Sequence, residues 1–187
     1  MEQLFLNIDQ NSDIQVIASS AYNFRIELVK KVGKDDISNL IEVSSGMASI
    51  YGKQALLNKS NIPKYFNNKT LPFVARFKGE IIGYIIGVPL EYFKKDSWAH
   101  FDINLGKENT LYTYAFVMNQ KYQKKGGYAK TLKKIYINWA KKQKYKYITG
   151  HVAQGIAKRF SNNTEVVKVF LNWYGLKIPF EYYRRPL

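Results

Sequence analysis

Leu111-Tyr112-Thr113-Tyr114-Ala115-Phe116-Val117-Met118, followed closely by Tyr122-Gln123-Lys124-Lys125-Gly126-Gly127-Tyr128-Ala129, is the stretch that decides the fold. The first half is apolar and aromatic and predicts a strand. The second half is a short basic loop with paired glycines. After it Tyr128, Leu132, Ile135 and Trp139 recur at helical spacing, which predicts a helix to about Lys142. At a helix N-terminus several N–H groups lack intrahelical partners, and the macrodipole adds partial positive charge. Glycine lets a bulky anion approach the backbone, and lysines add full charges. The loop therefore has the makings of a diphosphate cradle. Taken alone, a lysine-glycine turn entering a helix is equally a solvated turn. It is not a P-loop, because the GxxxxGK[ST] spacing is absent. Nor does it carry GxGxxG with a suitably placed acid, so a dinucleotide site is a poor fit.

Upstream, residues 73–77 and 80–87 read as a β-hairpin across the tight turn Lys78-Gly79. Residues 24–32 alternate Phe24, Ile26 and Leu28 against Arg25 and Glu27, and predict a strand ended by Gly33. Asp35 or Asp36 then caps a helix with Ile37, Leu40, Ile41 and Met47 on one side. A second helical segment, broken by Pro63, is expected over residues 54–68. Leu4-Phe5-Leu6 and Ile14-Gln15-Val16-Ile17 flank a polar turn and suggest a strand-rich N-terminal extension, residues 1–22. Downstream, Tyr147-Ile148-Thr149-Gly150-His151-Val152 predicts a strand. Residues 163–174 predict a second amphipathic helix, with Val166, Phe170 and Trp173 on one face. Residues 178–184 form a final strand. No repeat or linker interrupts residues 1–187, so a single domain is expected.

Composition narrows the chemistry. The 187 residues contain no cysteine, which excludes disulfides, thiolate metal sites and a cysteine nucleophile. His100 and His151 lie too far apart in sequence for a local metal motif. The longest apolar run, residues 81–90, is too short to span a bilayer, which needs about 20 residues. Met1-Glu2-Gln3-Leu4 lacks the basic region of a secretory signal, so a cytoplasmic protein with no membrane association is expected. The net charge of +15 draws in anions: nucleic acid, an acidic surface or a polyphosphorylated cofactor.

The order hairpin, strand, basic glycine loop, helix, strand, helix, strand resembles the GNAT superfamily of N-acetyltransferases over roughly residues 24–184. The resemblance implies an α/β fold, a mixed and largely antiparallel sheet flanked by helices, preceded here by the N-terminal extension. The strongest local match is the family's pyrophosphate motif, [QR]-x-x-G-x-[GA]. Two registers compete. Gln123-x-x-Gly126 places Tyr128 where Gly or Ala belongs. Lys124-x-x-Gly127-x-Ala129 puts Lys in the Gln/Arg position and lets Tyr128-Ala129 enter the helix in the family manner, so we favour it. The implied ligands of acetyl-CoA, the acyl donor, are Gln123, Lys124, Lys125, Gly126, Gly127, Tyr128 and Ala129. Amides near Phe116, Val117 and Met118 are implied as oxyanion donors on a strand that splays from its neighbour. Asn163 is similar to the Asn that opens the family's last helix, although an N-cap is an equally good account of it.

The resemblance further implies direct transfer of an acyl, in the first place acetyl, group to a primary amine. The family's acid tyrosine falls at Phe170, which cannot donate a proton. Tyr174, Tyr182 or Tyr183 stand nearby, and Tyr174 is the first choice. His151, at a strand end, is the candidate base, with a structural role as the simpler alternative. His100, Asp102 and Glu108 precede the cradle strand and are weaker candidates. Tyr112 and Tyr114 share a strand face as wall or core. Lys130, Lys133, Lys134, Lys141, Lys142 and Lys144 read as a mainly solvated helix face that also attracts phosphate. Two non-enzymatic readings stay open: a basic nucleic-acid-binding module and an acyl-CoA sensor without turnover. No RNA-binding motif supports the former. Only one strand fits after the last predicted helix, where the family ends in two, so the N-terminal extension or a second subunit of a homodimer would supply the other.

Overall fold

The computed structural model describes residues 9–187, without the side chains of residues 49 and 50. The Leu4-Phe5-Leu6 segment lies outside the described residues. The chain divides into two compact units, Met1–Ile86 with Ala115–Tyr136 and Gly87–Tyr114 with Ile137–Leu187. Two strands and one helix have residues in each.

The first unit holds β1 (Asp13–Ser19), β2 (Phe24–Lys31), β3 (Pro72–Phe77), β4 (Glu80–Pro89) as far as Ile86, and the end of β5 (Thr110–Met118), neighbours in that order. The pairs β1–β2, β2–β3 and β3–β4 are antiparallel. The Lys78-Gly79 hairpin is present as expected. Both residues have positive φ, which suits the two-residue turn to the twist of its strands. Residues 81–88 are buried on both faces of β4, as a central strand's apolar run requires. β1 is paired to β2 as an edge strand, so the second apolar stretch of the N-terminal extension is part of the sheet.

Helices α1 (Lys34–Ser44), α2 (Ala48–Tyr51), α3 (Ile62–Tyr65) and the start of α4 (Tyr128–Lys142) complete this unit. Neither Asp35 nor Asp36 caps α1. Gly33 is the cap residue, and the Lys34 and Asp35 N–H groups donate to the carbonyls of Asp9 and Gln10. Asp36 instead turns inward on the same stripe as Leu40 and Val43. The helical segment expected over residues 54–68 is reduced to α3 and a short 3₁₀ turn, Lys53–Ala55. α4 has the predicted bounds, but its most deeply buried residues are Leu132, Tyr136 and Ala140, with Ile135 and Trp139 flanking them.

The second unit holds the start of β5, β6 (Tyr147–Ala153), β7 (Glu165–Phe170) and β8 (Phe180–Pro186), in the order β5-β6-β8-β7. β5 and β6 are parallel, and the other two pairs antiparallel. The helix expected over residues 163–174 does not form. Its first half is β7, paired with β8 from Glu165↔Arg184 to Phe170↔Phe180. Three of the six β7 residues are valines, whose branched side chains fit a pleated surface better than a helix. The same change supplies the missing terminal strand from within the chain. Between β6 and β7 the described helical structure is one 3₁₀ turn, Ala157–Arg159.

Candidate active site

The cradle is built within the first unit. β5 ends against β4: the Asn119 N–H donates to the Ile82 carbonyl (2.8 Å), and a Cβ on Gly83 would sit 2.8 Å from the Val117 carbonyl oxygen. Only glycine at position 83 allows that approach. The Asn119 amide donates to Glu42 (2.9 Å) and its oxygen accepts from the Lys121 N–H (3.0 Å), which starts the turn. The Gln123 amide donates back to the Met118 carbonyl (3.1 Å). Lys124, Gly126 and Gly127 then take positive φ values of 58°, 57° and 66°. The Thr131 N–H donates to the Gly127 carbonyl (2.9 Å), making Gly127 the residue that opens α4. Tyr128, Ala129 and Lys130 thus carry the first N–H groups of the helix.

Gly127 is exposed and a Cβ on it would meet nothing within 4 Å, so its surface is open to a ligand. Lys124, Lys125 and Lys130 are exposed around it. Tyr128 is anchored by Phe24 and Phe77, with ring centroids 5.0 and 5.2 Å away. Aromatic packing therefore holds the helix start in place. These features fit a diphosphate, and the Gln123 side chain is spent on the turn.

The second unit holds the β5–β6 pairing. Pairing of β5 with β6 runs only from Thr110↔Tyr147 to Tyr112↔Thr149. β5 continues to Met118 and β6 to Ala153. On its other edge β6 pairs with β8 along its whole length, from Tyr147↔Pro186 to Ala153↔Phe180. Tyr112 is buried, whereas Tyr114 and Phe116 are exposed.

The chain belongs to the acetyltransferase (GNAT) family. The family model matches residues 45–160, more than half of the chain. No curated protein matches in sequence. Among solved structures, the ribosomal-protein-S18-alanine N-acetyltransferase of Escherichia coli is 12% identical with a TM-score of 0.61, covering 87% of this chain and 93% of its own. The ribosomal-protein-alanine N-acetyltransferase of Brucella melitensis is 15% identical at TM-score 0.63, covering 87% and 99%. A GNAT family acetyltransferase from Elizabethkingia anophelis, solved with acetyl-CoA bound, is 16% identical at TM-score 0.54, covering 88% and 99%. At these identities the likeness is one of fold. It matches the mixed, mostly antiparallel sheet flanked by helices that the sequence predicts. None of the described helices is long and apolar enough to cross a membrane.

The remaining GNAT candidates lie in the second unit. Asn163 is exposed in the turn before β7, where the Thr164 N–H donates to the Ser161 carbonyl, so it caps no helix. Phe170 ends a strand. Tyr174 is 72% exposed in the β7–β8 connection. His100 donates through Nε2 to the Lys94 carbonyl (3.0 Å), and Glu108 is exposed. Asp102 is buried and engaged: it accepts from the Tyr182 hydroxyl (2.8 Å) and the Arg184 guanidinium (2.9 Å). Arg184 also pairs with Glu165 (2.6 Å). Tyr182 is consequently a core residue. Burial pushes its hydroxyl well above the usual range.

His151 is enclosed by rings. Its Nδ1 lies 2.8 Å from the Tyr112 hydroxyl, and its ring stacks on Trp173 at 3.6 Å and 19°. Trp98 meets it edge to face at 4.9 Å, and Phe170 and Tyr182 close the box. Sequence reasoning missed this enclosure because it placed Trp173 on a helix. Burial pulls the imidazole down to about 3. Between its ordinary value of about 6.5 and that figure, the unfolded chain binds a proton that the folded chain refuses. Stability therefore falls as pH drops through this window. From pH 7 to pH 4.5 we expect the wild type to lose roughly 2–3 kcal/mol more than His151→Phe, measured by urea unfolding. Equal losses would refute the neutral, buried imidazole.

Proposed function

We propose that this GNAT protein transfers an acyl group, acetyl in the first instance, from acyl-CoA to a primary amine by direct attack in a ternary complex. The observation that carries the reading is the start of α4, where Gly126 and Gly127 take left-handed φ values, the space at Gly127 is open and lysines are exposed beside it. Gly126, Gly127, Tyr128 and Ala129 would hold the diphosphate through the backbone, and Lys124 and Lys125 through charge. The substrate supplies an activated thioester. Main-chain N–H groups at Phe116, Val117 and Met118 would stabilise the negative charge that develops on its carbonyl oxygen. That the two units work as one domain extended by residues 1–22 is part of the same proposal, as is a cytoplasmic setting.

Tyr174 is our candidate for returning a proton to the departing thiolate. It is exposed in the β7–β8 connection, just after the strand that forms where a helix was expected. His151, named as a base from sequence, holds a proton too weakly at neutral pH to serve that role well. Asn163, with no helix to open, is the weakest of the implied cofactor contacts.

Two measurements test the proposal. Acetyl-CoA at 100 times its Kd should stabilise the fold by about 2.7 kcal/mol, and amines should trigger release of free CoA. Tyr174→Phe should lower kcat roughly 10- to 100-fold with acetyl-CoA affinity within twofold; an unchanged kcat removes Tyr174 as the acid. Stabilisation without amine-dependent CoA release would favour the sensor reading, which the loss of the acid helix makes a real competitor. Indifference to CoA with steeply salt-dependent RNA binding would favour the nucleic-acid reading.

A further inference from the structure

The β7–β8 connection carries a conformation that its sequence does not favour. Tyr174 and Gly175 both have positive φ, 49° and 74°, and the Leu176 N–H donates to the Trp173 carbonyl (3.0 Å). This is the pattern of a type I′ turn, with tyrosine where Asn, Asp or Gly is preferred. The Asn172 side chain accepts from the Gly175 N–H (3.1 Å). A bulky side chain held at positive φ persists only where its surroundings over-determine it, and such positions cluster at functional sites. The surroundings here are specific. Trp173, the first residue of the turn, lies face to face with His151, and Tyr174 meets Trp173 edge on at 4.8 Å.

We propose that His151 is a positioning residue: through its stack on Trp173 it locks the 172–176 turn and so presents the Tyr174 hydroxyl. The inference rests on the acyl-transfer reading with Tyr174 as proton donor. His151 sits on β6 between rigid neighbours, paired with Tyr182 of β8 and bonded to Tyr112 of β5, so its ring is a fixed platform. Trp173 lies outside any strand and takes its orientation from that platform. The flat face is what the stack requires, and phenylalanine keeps it while giving up only the Tyr112 hydrogen bond. A base would require the ring nitrogen, which phenylalanine lacks. The titratable and charged groups packed around this part of the unit are Tyr112, Tyr182 and, behind Tyr182, the Asp102–Arg184 pair.

The test compares His151→Ala, His151→Phe and Trp173→Ala in the full chain, with two readouts. Amide hydrogen exchange over residues 172–176 should quicken at least tenfold in His151→Ala and Trp173→Ala, and stay near wild type in His151→Phe. Amine-dependent CoA release should fall about tenfold in kcat in the two alanine variants, and His151→Phe should recover most of it with the pH profile unshifted. If His151→Phe loses as much turnover as His151→Ala, or loses the acidic limb of the profile, His151 is a base and the proposal is wrong. If exchange is unchanged in Trp173→Ala, the stack does not hold the turn and the proposal is equally wrong. If exchange responds as expected while kcat does not, the positioning stands and it is the role of Tyr174 in acyl transfer that fails.

Discussion

Gly127→Val should cost the protein its acyl-CoA while leaving it folded. The residue sits at φ +66°, a conformation that a β-branched side chain adopts only under strain of roughly 1–2 kcal/mol. The valine would have to project into the open space that the cradle offers to a diphosphate, because nothing lies within 4 Å of its Cβ. Relaxing the strain would rotate the Tyr128 and Ala129 N–H groups away from a common target. Either way the backbone contacts are lost. We expect acetyl-CoA affinity to fall at least about thirtyfold, equivalent to about 2 kcal/mol, with Tm lower by only a few degrees. Gly155→Val is the control. It carries the same backbone strain (φ +86°) at an open position outside the cradle, so it should lower stability similarly and leave acetyl-CoA binding intact. Unaltered affinity in Gly127→Val, or equal losses in both variants, would sink the cradle.

The largest effect on stability should come from Arg76→Met. The Arg76 side chain on β3 donates through Nε to Glu27 (3.0 Å) and through its two terminal nitrogens to Asp36 (2.8 Å each) and the Gly79 carbonyl (2.9 Å). Glu27 is fully buried and Asp36 nearly so; Arg25 reaches Glu27 from the surface. Burial alone would raise the Asp36 carboxyl, yet hydrogen bonds from Arg76 and Ser12 outweigh it and hold the group below the usual carboxylate range. Removing the cation leaves two carboxylates in a poor dielectric, which costs about 3–5 kcal/mol. For a chain of this size that is roughly 10 °C or more in Tm. Adding Glu27→Gln and Asp36→Asn to Arg76→Met should restore part of the loss, since the uncompensated charges disappear with them. A single variant melting within 2 °C of wild type would contradict this account.

Much of this protein was legible before any coordinates. The Lys78-Gly79 hairpin, β5 and α4 follow from turn chemistry and apolar periodicity, each decided within a few residues. The turn on which the proposed cradle rests is equally local: two glycines follow two lysines at a helix start. Residues 163–174 show where such reasoning fails. Val166, Phe170 and Trp173 do recur at helical spacing, but pairing with β8 outweighs that pattern, and a window of residues contains no information about its partner. The misreading had consequences. It hid the terminal strand, put Trp173 on the wrong element and gave Asn163 a helix to open.

The amino-acid sequence thus determined by itself the strand, the glycine turn and the helix on which the proposed cradle rests, because each depends on backbone preferences and spacing within one segment. Only the tertiary structure decided what β7 is and which acids are spent in buried ion pairs. It also decided that His151 is a buried ring stacked on Trp173, where sequence alone left a base and a structural role both open. Those outcomes depend on burial and on partners distant in sequence, where desolvation and strand pairing override local tendencies.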